Sequence, residues 1–256
     1  MNENAAFLPS FLRPISVPKL VRLGRAHDGG YLVDARDIEQ ADVLIGLGIN
    51  EDWSFEEDFT SRNAVPVYGF DPTIGGTIFA KKVLKSLLRP HRPALFTHSM
   101  KIWLGYRRFF KDANVHIDKY VGIPGSGSSI SLREIFESIV PPGHERAFLK
   151  IDIEGSEYRI LEDIRDFSDK IVGMVIEFHD VDFHLQRIES FIERIPLQIC
   201  HVHANNYGSR NKDGVPLAIE CTFTASKSLG TPAGPLPHAL DMPNHAQRED
   251  YRITFR

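Results

Sequence analysis

The segment Phe148-Leu-Lys-Ile-Asp-Ile-Glu-Gly-Ser-Glu-Tyr158 begins as an apolar run and ends in a turn rich in carboxylates. The run Ala147–Ile151 has the length and composition of a strand buried in a sheet. Asp152 and Glu154 follow it, and period-two geometry places them on one side of the chain as it leaves the sheet. Because open α/β sheets bind ligands at the carboxyl ends of their strands, the segment predicts a ligand site there.

Other short apolar runs alternate with segments of helical period, which predicts the α/β class with a mostly parallel sheet. Residues 79–87 carry an apolar stripe at helical spacing, and Ser54–Glu57 matches a capping box that marks a helix start. The last two predicted strands are joined by a short connection, which predicts an antiparallel hairpin at one edge of the sheet. The seven predicted strands cover residues 42–47, 65–70, 114–121, 147–151, 172–177, 197–203 and 217–223.

The length of 256 residues and the hydrophobic fraction of 42% fit one domain, which we expect to span residues 1–256. No run approaches the roughly 18 apolar residues that a membrane-spanning helix needs, and the N-terminus lacks the pattern of a signal peptide. We therefore expect a cytoplasmic protein. Three segments depart from the core pattern: an N-terminal extension (about 1–20), a basic and aromatic insertion (about 74–112) and an irregular C-terminal arm (about 226–256).

The charge is unevenly distributed along the chain. A net charge of −4 argues against a general nucleic-acid binder. Residues 72–111 nevertheless contain no acid and carry nine lysines and arginines interleaved with aromatic residues. This pattern is compatible with contact to an anionic or sugar-rich substrate, a membrane surface or another subunit, and also with a solvated helix face above an apolar underside.

A glycine loop, Gly46-Leu-Gly-Ile-Asn50, follows the first predicted strand of the sheet. Glycines there let a ligand approach the backbone closely. Glu51 and Asp52 come next, and two carboxylates disfavour a pyrophosphate but tolerate a ligand with an ammonium and a sulfonium group. This argues against a nucleotide-dependent dehydrogenase. Asp71 ends the second strand, where an acid is placed to accept hydrogen bonds from ribose hydroxyls.

Titratable side chains also end the two strands after Ala147–Ile151. Glu177, His179 and Asp180 end one of them, and His203 lies near the end of the other. Together with Asp152, these groups predict either a general base for an acceptor hydroxyl or a site for a divalent cation that lowers the pKa of that hydroxyl.

The residues Leu149–Leu161 and Val175–His179 resemble the FkbM-type family of S-adenosylmethionine-dependent methyltransferases. A second set resembles a branch related to methyltransferase-like protein 24; it comprises Arg22–Tyr31, Ser54–Asp58, Phe70–Thr73 and His201–Asn206. The resemblance implies a Rossmann-like class I methyltransferase fold. The chain departs from the family in the glycine loop, which often reads Asp-x-Gly-Ala-Asn and here reads Gly46-Leu-Gly-Ile-Asn50.

The resemblance also implies a cofactor site. In it, Gly46, Gly48 and Asn50 line the methionine end of S-adenosylmethionine, Asp71 binds its ribose, and Asp152 faces the methyl group. Metal-assisted members of the family exist. They imply a magnesium ion held here by Asp152, Glu177 and Asp180.

The predicted function is O-methylation of a hydroxyl on a sugar or a natural-product-like small molecule. The predicted catalytic residues are Asp152, Glu177, His179 and His203, with His179 or His203 accepting the proton of the hydroxyl. We expect a small-molecule or saccharide acceptor and neither nucleic acid nor a membrane span. The alternative is a non-catalytic module that binds S-adenosylmethionine or sugar and uses residues 72–111 as a docking surface.

Overall fold

The centre of the fold is a seven-stranded sheet, seen in a computed structural model that describes residues 4–89, 91–122, 127–227 and 230–256. The strands are β1 (Ala5–Leu8), β2 (Leu20–Gly24), β3 (Gly30–Asp34), β4 (Val43–Leu47), β5 (Val67–Phe70), β6 (Asn114–Ile117), β7 (Tyr120–Val121), β8 (Ser129–Ile130), β9 (Ala147–Ile151), β10 (Ile171–Phe178), β11 (Gln198–Ala204), β12 (Ile219–Thr224) and β13 (Arg252–Phe255). The α-helices are α1 (Ala35–Gln40), α2 (Ser54–Arg62), α3 (Gly76–Leu87), α4 (Pro93–Phe109), α5 (Leu132–Glu134), α6 (Leu161–Asp166) and α7 (Val181–Ile192). Short 3-10 turns cover Ser10–Leu12, Glu157–Arg159 and Ser168–Lys170, and a π-turn covers Ile135–Ile139.

The strand order of the sheet is β6-β5-β4-β9-β10-β12-β11. The pairs from β6 to β10 are parallel, whereas β12 runs antiparallel to both β10 and β11. All seven predicted strands are present, so the α/β class, the mostly parallel sheet and the antiparallel edge hairpin are confirmed.

The central strand β4 is buried on both faces. Val43, Ile45 and Leu47 belong to one hydrophobic cluster, and Leu44 belongs to the other cluster on the opposite face. Side chains of a strand alternate between faces, so a strand covered on both sides is apolar throughout. This explains why β4 is a continuous apolar run in the sequence, and why β9 is apolar except for Lys150.

An antiparallel hairpin of β2 and β3 packs over the later strands of the sheet, and the sequence patterns did not predict it. Thr222 of β12 donates a hydrogen bond from Oγ1 to the carbonyl oxygen of Leu32, at 2.6 Å. In the turn of the hairpin, the amide of Arg25 donates to Ser54 Oγ at 2.9 Å. Helix α2 therefore begins at Ser54 as predicted, but the hydroxyl of Ser54 binds the hairpin and forms no capping box.

The C-terminal arm is held by two histidines of β11. Their Nε2 atoms contact acids of the arm, His201 with Asp241 at 3.1 Å and His203 with Asp250 at 2.9 Å. The arm, expected to be irregular, ends in strand β13, which pairs in parallel with β1 of the N-terminal extension. The two termini of the described chain are thus joined to each other.

The basic insertion contains α3 and α4, which pack against each other. Phe79 and Val83 are buried, as the apolar stripe predicted. The same stripe predicts that Leu84 and Leu87 are core residues, and this is wrong, since more than half of each residue's surface is exposed. In the part of the chain that the structure describes, no helix is long and apolar enough to cross a membrane.

Candidate functional site

A cavity of about 360 Å³ lies at the carboxyl ends of β4, β5 and β9. The turn between β2 and β3 forms a further wall. Four of the predicted cofactor residues line the cavity, namely Gly48, Asn50, Asp71 and Asp152. Gly46 does not line it, because it lies within β4, beneath the glycine loop, where a Cβ atom would come within 2.8 Å of Glu56 Oε1.

Gly48 brings the glycine loop against the end of β9. Its φ of +79° lies in the left-handed region, and a Cβ atom there would stand 1.7 Å from the carbonyl oxygen of Asp152. The amide of Asp152 also donates to the carbonyl oxygen of Leu47, at 2.9 Å. Only glycine combines this backbone conformation with this approach.

Asp71 fixes the glycine loop from the other side. Its Oδ2 accepts hydrogen bonds from the amides of Ile49 and Asn50, at 3.0 and 2.7 Å. Its Oδ1 accepts from the amide and the hydroxyl of Thr73. A carboxylate has about four acceptor positions, so a ribose hydroxyl would have to share Asp71 with these donors. The predicted contact with ribose stays a prediction.

Lys150 is a polar residue of this region that the sequence analysis treated only as part of an apolar strand. Its side chain is buried in β9, its Nζ donates to the carbonyl oxygen of Gly48, and the same Nζ lies 4.0 Å from Asp152 Oδ2. Its position inside an otherwise apolar strand is the sequence signal for a functional or structural partner, because lysine is almost never buried without one. Burial raises the pKa of the neighbouring Glu56 to about 7, against the opposing effect of Lys150.

Tyr31 of β3 joins the acidic group at the sheet edge. Its hydroxyl lies 3.3 Å from Asp152 Oδ2 and 3.4 Å from Glu177 Oε2. On the other side, Asn205 Nδ2 donates to Glu177 Oε1 at 2.7 Å. Burial raises the pKa of Glu177 to about 8, with further contributions from the charges of Asp152 and Glu220. The structure therefore brings together Asp152 and Glu177, as predicted, through a tyrosine that the strand patterns did not identify.

His179 is hydrogen-bonded at one ring nitrogen, whereas the other has carboxylates nearby but none within hydrogen-bonding distance among the described residues. Nδ1 lies 3.1 Å from Oε1 of the fully buried Glu157, which also accepts from the amides of Ile153 and Gly155. Nε2 faces the carboxylates of Glu154 and Glu177, at 3.6 and 3.8 Å. Burial alone would lower the pKa of His179, but the hydrogen bond with Glu157 and the surrounding carboxylates raise it to about 9.

His203 has a different environment from the one predicted. It is buried, with Nδ1 3.2 Å from Glu220 Oε2 and Nε2 2.9 Å from Asp250 Oδ2. Burial alone would lower its pKa, yet the hydrogen bonds with Asp250 and Glu220 raise it well above the usual value. A ring that donates from both nitrogens to carboxylates has no site for a further proton, so this geometry does not support His203 as a proton acceptor.

The predicted magnesium ligands do not converge. Asp180 is exposed at the start of α7, and Glu177 is bound to Tyr31 and Asn205. Among the described residues, the group whose potential ligand atoms lie within 4.8 Å of one another is Asp152, Glu154 and His179. Magnesium prefers an octahedron of oxygen atoms, whereas this group offers two carboxylates and a ring nitrogen. The predicted magnesium site does not fit these residues.

Comparison with known proteins identifies one matching family. Residues 128–207, which include β9, the Asp152 turn and His179, match the methyltransferase FkbM domain. The predicted family is thus confirmed over this segment, and S-adenosylmethionine is the methyl donor that the family implies. With the seven-stranded sheet, this match confirms the predicted class I methyltransferase fold. No curated protein matches the chain.

Several solved structures show a distant likeness. An rRNA methylase from Streptococcus thermophilus is 12% identical with a TM-score of 0.37, and the match covers 74% of this chain and 92% of that one. The precorrin-6y C5,15-methyltransferase from Geobacter metallireducens GS-15 is 10% identical with a TM-score of 0.39, and the match covers 74% of this chain and 84% of that one. A putative caffeoyl-CoA O-methyltransferase from Staphylococcus aureus is 8% identical with a TM-score of 0.32, and the match covers 74% of this chain and 78% of that one.

Replacement of Gly48 tests whether the loop forms the cofactor site. We expect Gly48→Ala to weaken binding of S-adenosylmethionine at least about tenfold, because the added Cβ meets the carbonyl oxygen of Asp152 and the positive φ is strained. Isothermal titration calorimetry measures the affinity. Gly234→Ala is the matched control, since no atom of the described residues lies within 4 Å of its Cβ position. Equal affinities of the two variants would contradict the assignment of this loop to the cofactor.

Proposed function

We propose that this chain, an S-adenosylmethionine-dependent methyltransferase with an FkbM domain at residues 128–207, methylates a hydroxyl of a sugar or a natural-product-like small molecule. The observation that carries the proposal is the arrangement of His179. A buried carboxylate holds its Nδ1, while its Nε2 faces the acidic group beside the cavity.

The charge of the cavity suits S-adenosylmethionine. Five acidic residues line it, against three basic ones, Arg25, Lys119 and Lys150. Two basic residues already have acidic neighbours, since Arg25 lies 3.0 Å from Asp52 and Lys150 lies 4.0 Å from Asp152. The resulting negative excess complements an ammonium and a sulfonium group. When bound, the cofactor supplies an electrophilic methyl group; Gly48, Asn50 and Asp152 are the residues that would hold it.

The histidine supplies the proton chemistry of the proposed reaction. Methylation of a hydroxyl releases its proton, and His179 Nε2 is the atom that would accept it. Glu157 fixes the ring through Nδ1 and stabilises the imidazolium that forms, as the buried acid of a catalytic triad does for its histidine. The Tyr31 hydroxyl lies between Asp152 and Glu177, within 3.4 Å of both, and can donate its hydrogen bond to either.

The surroundings of His179 favour a neutral acceptor with several hydroxyls. Asp152, Glu154 and Glu177 all present carboxyl oxygens near the ring, and such oxygens accept hydrogen bonds from hydroxyl groups. The same group repels phosphates, since like charges in close proximity are unfavourable. A saccharide therefore fits this edge of the sheet better than a nucleic acid does.

Transfer of a labelled methyl group tests the proposal. We expect the protein to methylate members of a panel of saccharides and hydroxylated small molecules, and His179→Gln to lower turnover by roughly 10²- to 10⁴-fold while cofactor binding is retained. His98→Gln, an exposed histidine on α4, is the control and should leave turnover unchanged.

Two outcomes would contradict the proposal. Cofactor binding without transfer to any hydroxylated acceptor would favour the alternative of a non-catalytic module. Full turnover of His179→Gln would remove the histidine from the mechanism.

The pH dependence of turnover reports the protonation of His179. Because the neutral ring is the proton acceptor and the pKa is raised to about 9, turnover should rise with pH and level off above about 9. Glu157→Gln removes the charge that raises this pKa, so the inflection should move to lower pH. A pH–rate profile of both proteins measures the shift. A profile that is unchanged by Glu157→Gln would contradict the assigned pair.

A chelator tests the absence of a metal requirement. We expect turnover to stay within about twofold after treatment with EDTA, because the predicted ligands of magnesium do not converge. Activity is measured before and after chelation and after addition of MgCl₂. Loss of activity that magnesium restores would contradict this expectation.

A further inference from the structure

Helix α3 exposes three leucines to solvent. Leu84, Leu87 and the adjoining Leu88 are 63%, 56% and 79% exposed. At 3.6 residues per turn, these positions fall within about 100° of arc, next to the face that buries Phe79 and Val83. Contiguous exposed apolar surface on a protein marks an interaction site more often than isolated apolar residues do.

Basic side chains lie beside this stripe: Lys81 and Lys85 occupy the next arc of α3, and Arg89 follows two residues after the end of the helix. Lys81, Lys85 and Arg89 are exposed, and none of them has a carboxylate within ion-pairing distance in the described ranges of the chain. The whole stretch 72–111 lacks acidic residues. The helix therefore presents an apolar stripe bordered by unneutralised positive charge.

We propose that this surface binds the anionic surface of a lipid bilayer. We call it the α3 docking face, and it comprises Lys81, Leu84, Lys85, Leu87, Leu88 and Arg89. A helix that lies in a membrane interface inserts its apolar side chains among the lipids and directs its basic side chains to anionic headgroups. The α3 docking face has both parts side by side, on α3 and on the two residues that follow it.

A cavity beside the face adds a place for a headgroup. It measures about 250 Å³, lies between α3 and α4, and is lined by Lys82, Lys85, Arg89 and His98 together with apolar side chains. Its one acidic residue, Glu51, is paired with Lys82. Lys85 and Arg89, which have no acidic partner among the described residues, suit the phosphate of a lipid.

Other occupants fit the face less well. A two-fold contact between copies of this chain would bring its basic side chains together, and like charges repel. Nucleic acid would leave the leucines without apolar partners. A protein partner needs roughly 800 Å² of complementary surface, whereas three leucines on a convex helix offer less. A bilayer adapts to a convex surface.

Vesicle co-sedimentation tests the proposal, and it is independent of the proposed methylation. We expect the protein to bind vesicles of phosphatidylcholine with phosphatidylserine, more weakly at high salt, and to bind pure phosphatidylcholine poorly. The triple variant Leu84→Ser, Leu87→Ser, Leu88→Ser should bind at least about tenfold more weakly. The triple variant Lys81→Glu, Lys85→Glu, Arg89→Glu should lose roughly a hundredfold.

Controls separate this effect from loss of the fold. Phe183→Ser changes an exposed apolar residue on α7, and Lys212→Glu changes an exposed lysine elsewhere; both should bind vesicles as the parent does. All variants change exposed side chains, so their circular dichroism and turnover in solution should match the parent.

The proposal is overturned by vesicle binding that is absent, or that neither triple variant weakens. It is equally overturned if the face instead binds an RNA or DNA duplex, or forms a dimer that the leucine variant dissociates.

Discussion

The close approach of Gly48 to the carbonyl oxygen of Asp152 fixes the distance between the glycine loop and the end of β9, and the rest of the site depends on it. The buried Nζ of Lys150 strengthens this contact from below, since it hydrogen-bonds the carbonyl of Gly48 and lies near the carboxylate of Asp152. Asp71, at the end of β5, also holds the loop, because its carboxylate accepts hydrogen bonds from the amides of Ile49 and Asn50. The side chains of Lys150 and Asp71 therefore hold the backbone of the loop by hydrogen bonds, and these bonds fix its shape without a ligand.

Beyond that contact, the site contains several buried carboxyl groups, among them Glu157, Glu177 and Glu220. Glu157 orients the ring of His179 through its contact with Nδ1, and Glu220 orients the ring of His203 in the same way. The two histidines illustrate how environment divides similar residues into different roles. His203 lies between two acids and stabilises the arm, whereas one buried acid anchors His179 and its second nitrogen faces the carboxylates of Glu154 and Glu177 beside the cavity.

The sheet was predictable from sequence because its strands are covered on both faces and so form short apolar runs, as in β4 and, apart from Lys150, in β9. Asp152, Glu177 and His179 were predictable because they follow such runs directly. Tyr31 was not, because it lies in a hairpin far away in the chain, and only tertiary packing brings it to Glu177. The contact of His203 with Asp250 was not predictable from sequence either, since Asp250 belongs to a turn-rich arm with no periodic pattern.

The hairpin that carries Tyr31 has a consequence for how the protein is made. Tyr31 meets Asp152 and Glu177 across separations of 121 and 146 residues, and Asp250 meets His203 from near the end of the chain. During synthesis on the ribosome, the hairpin emerges long before the strands against which it packs. The acidic group at the sheet edge can therefore assemble only after β10 has left the exit tunnel, and the arm closes last. Contacts between such distant parts of a chain form slowly, because the intervening loop must first be closed.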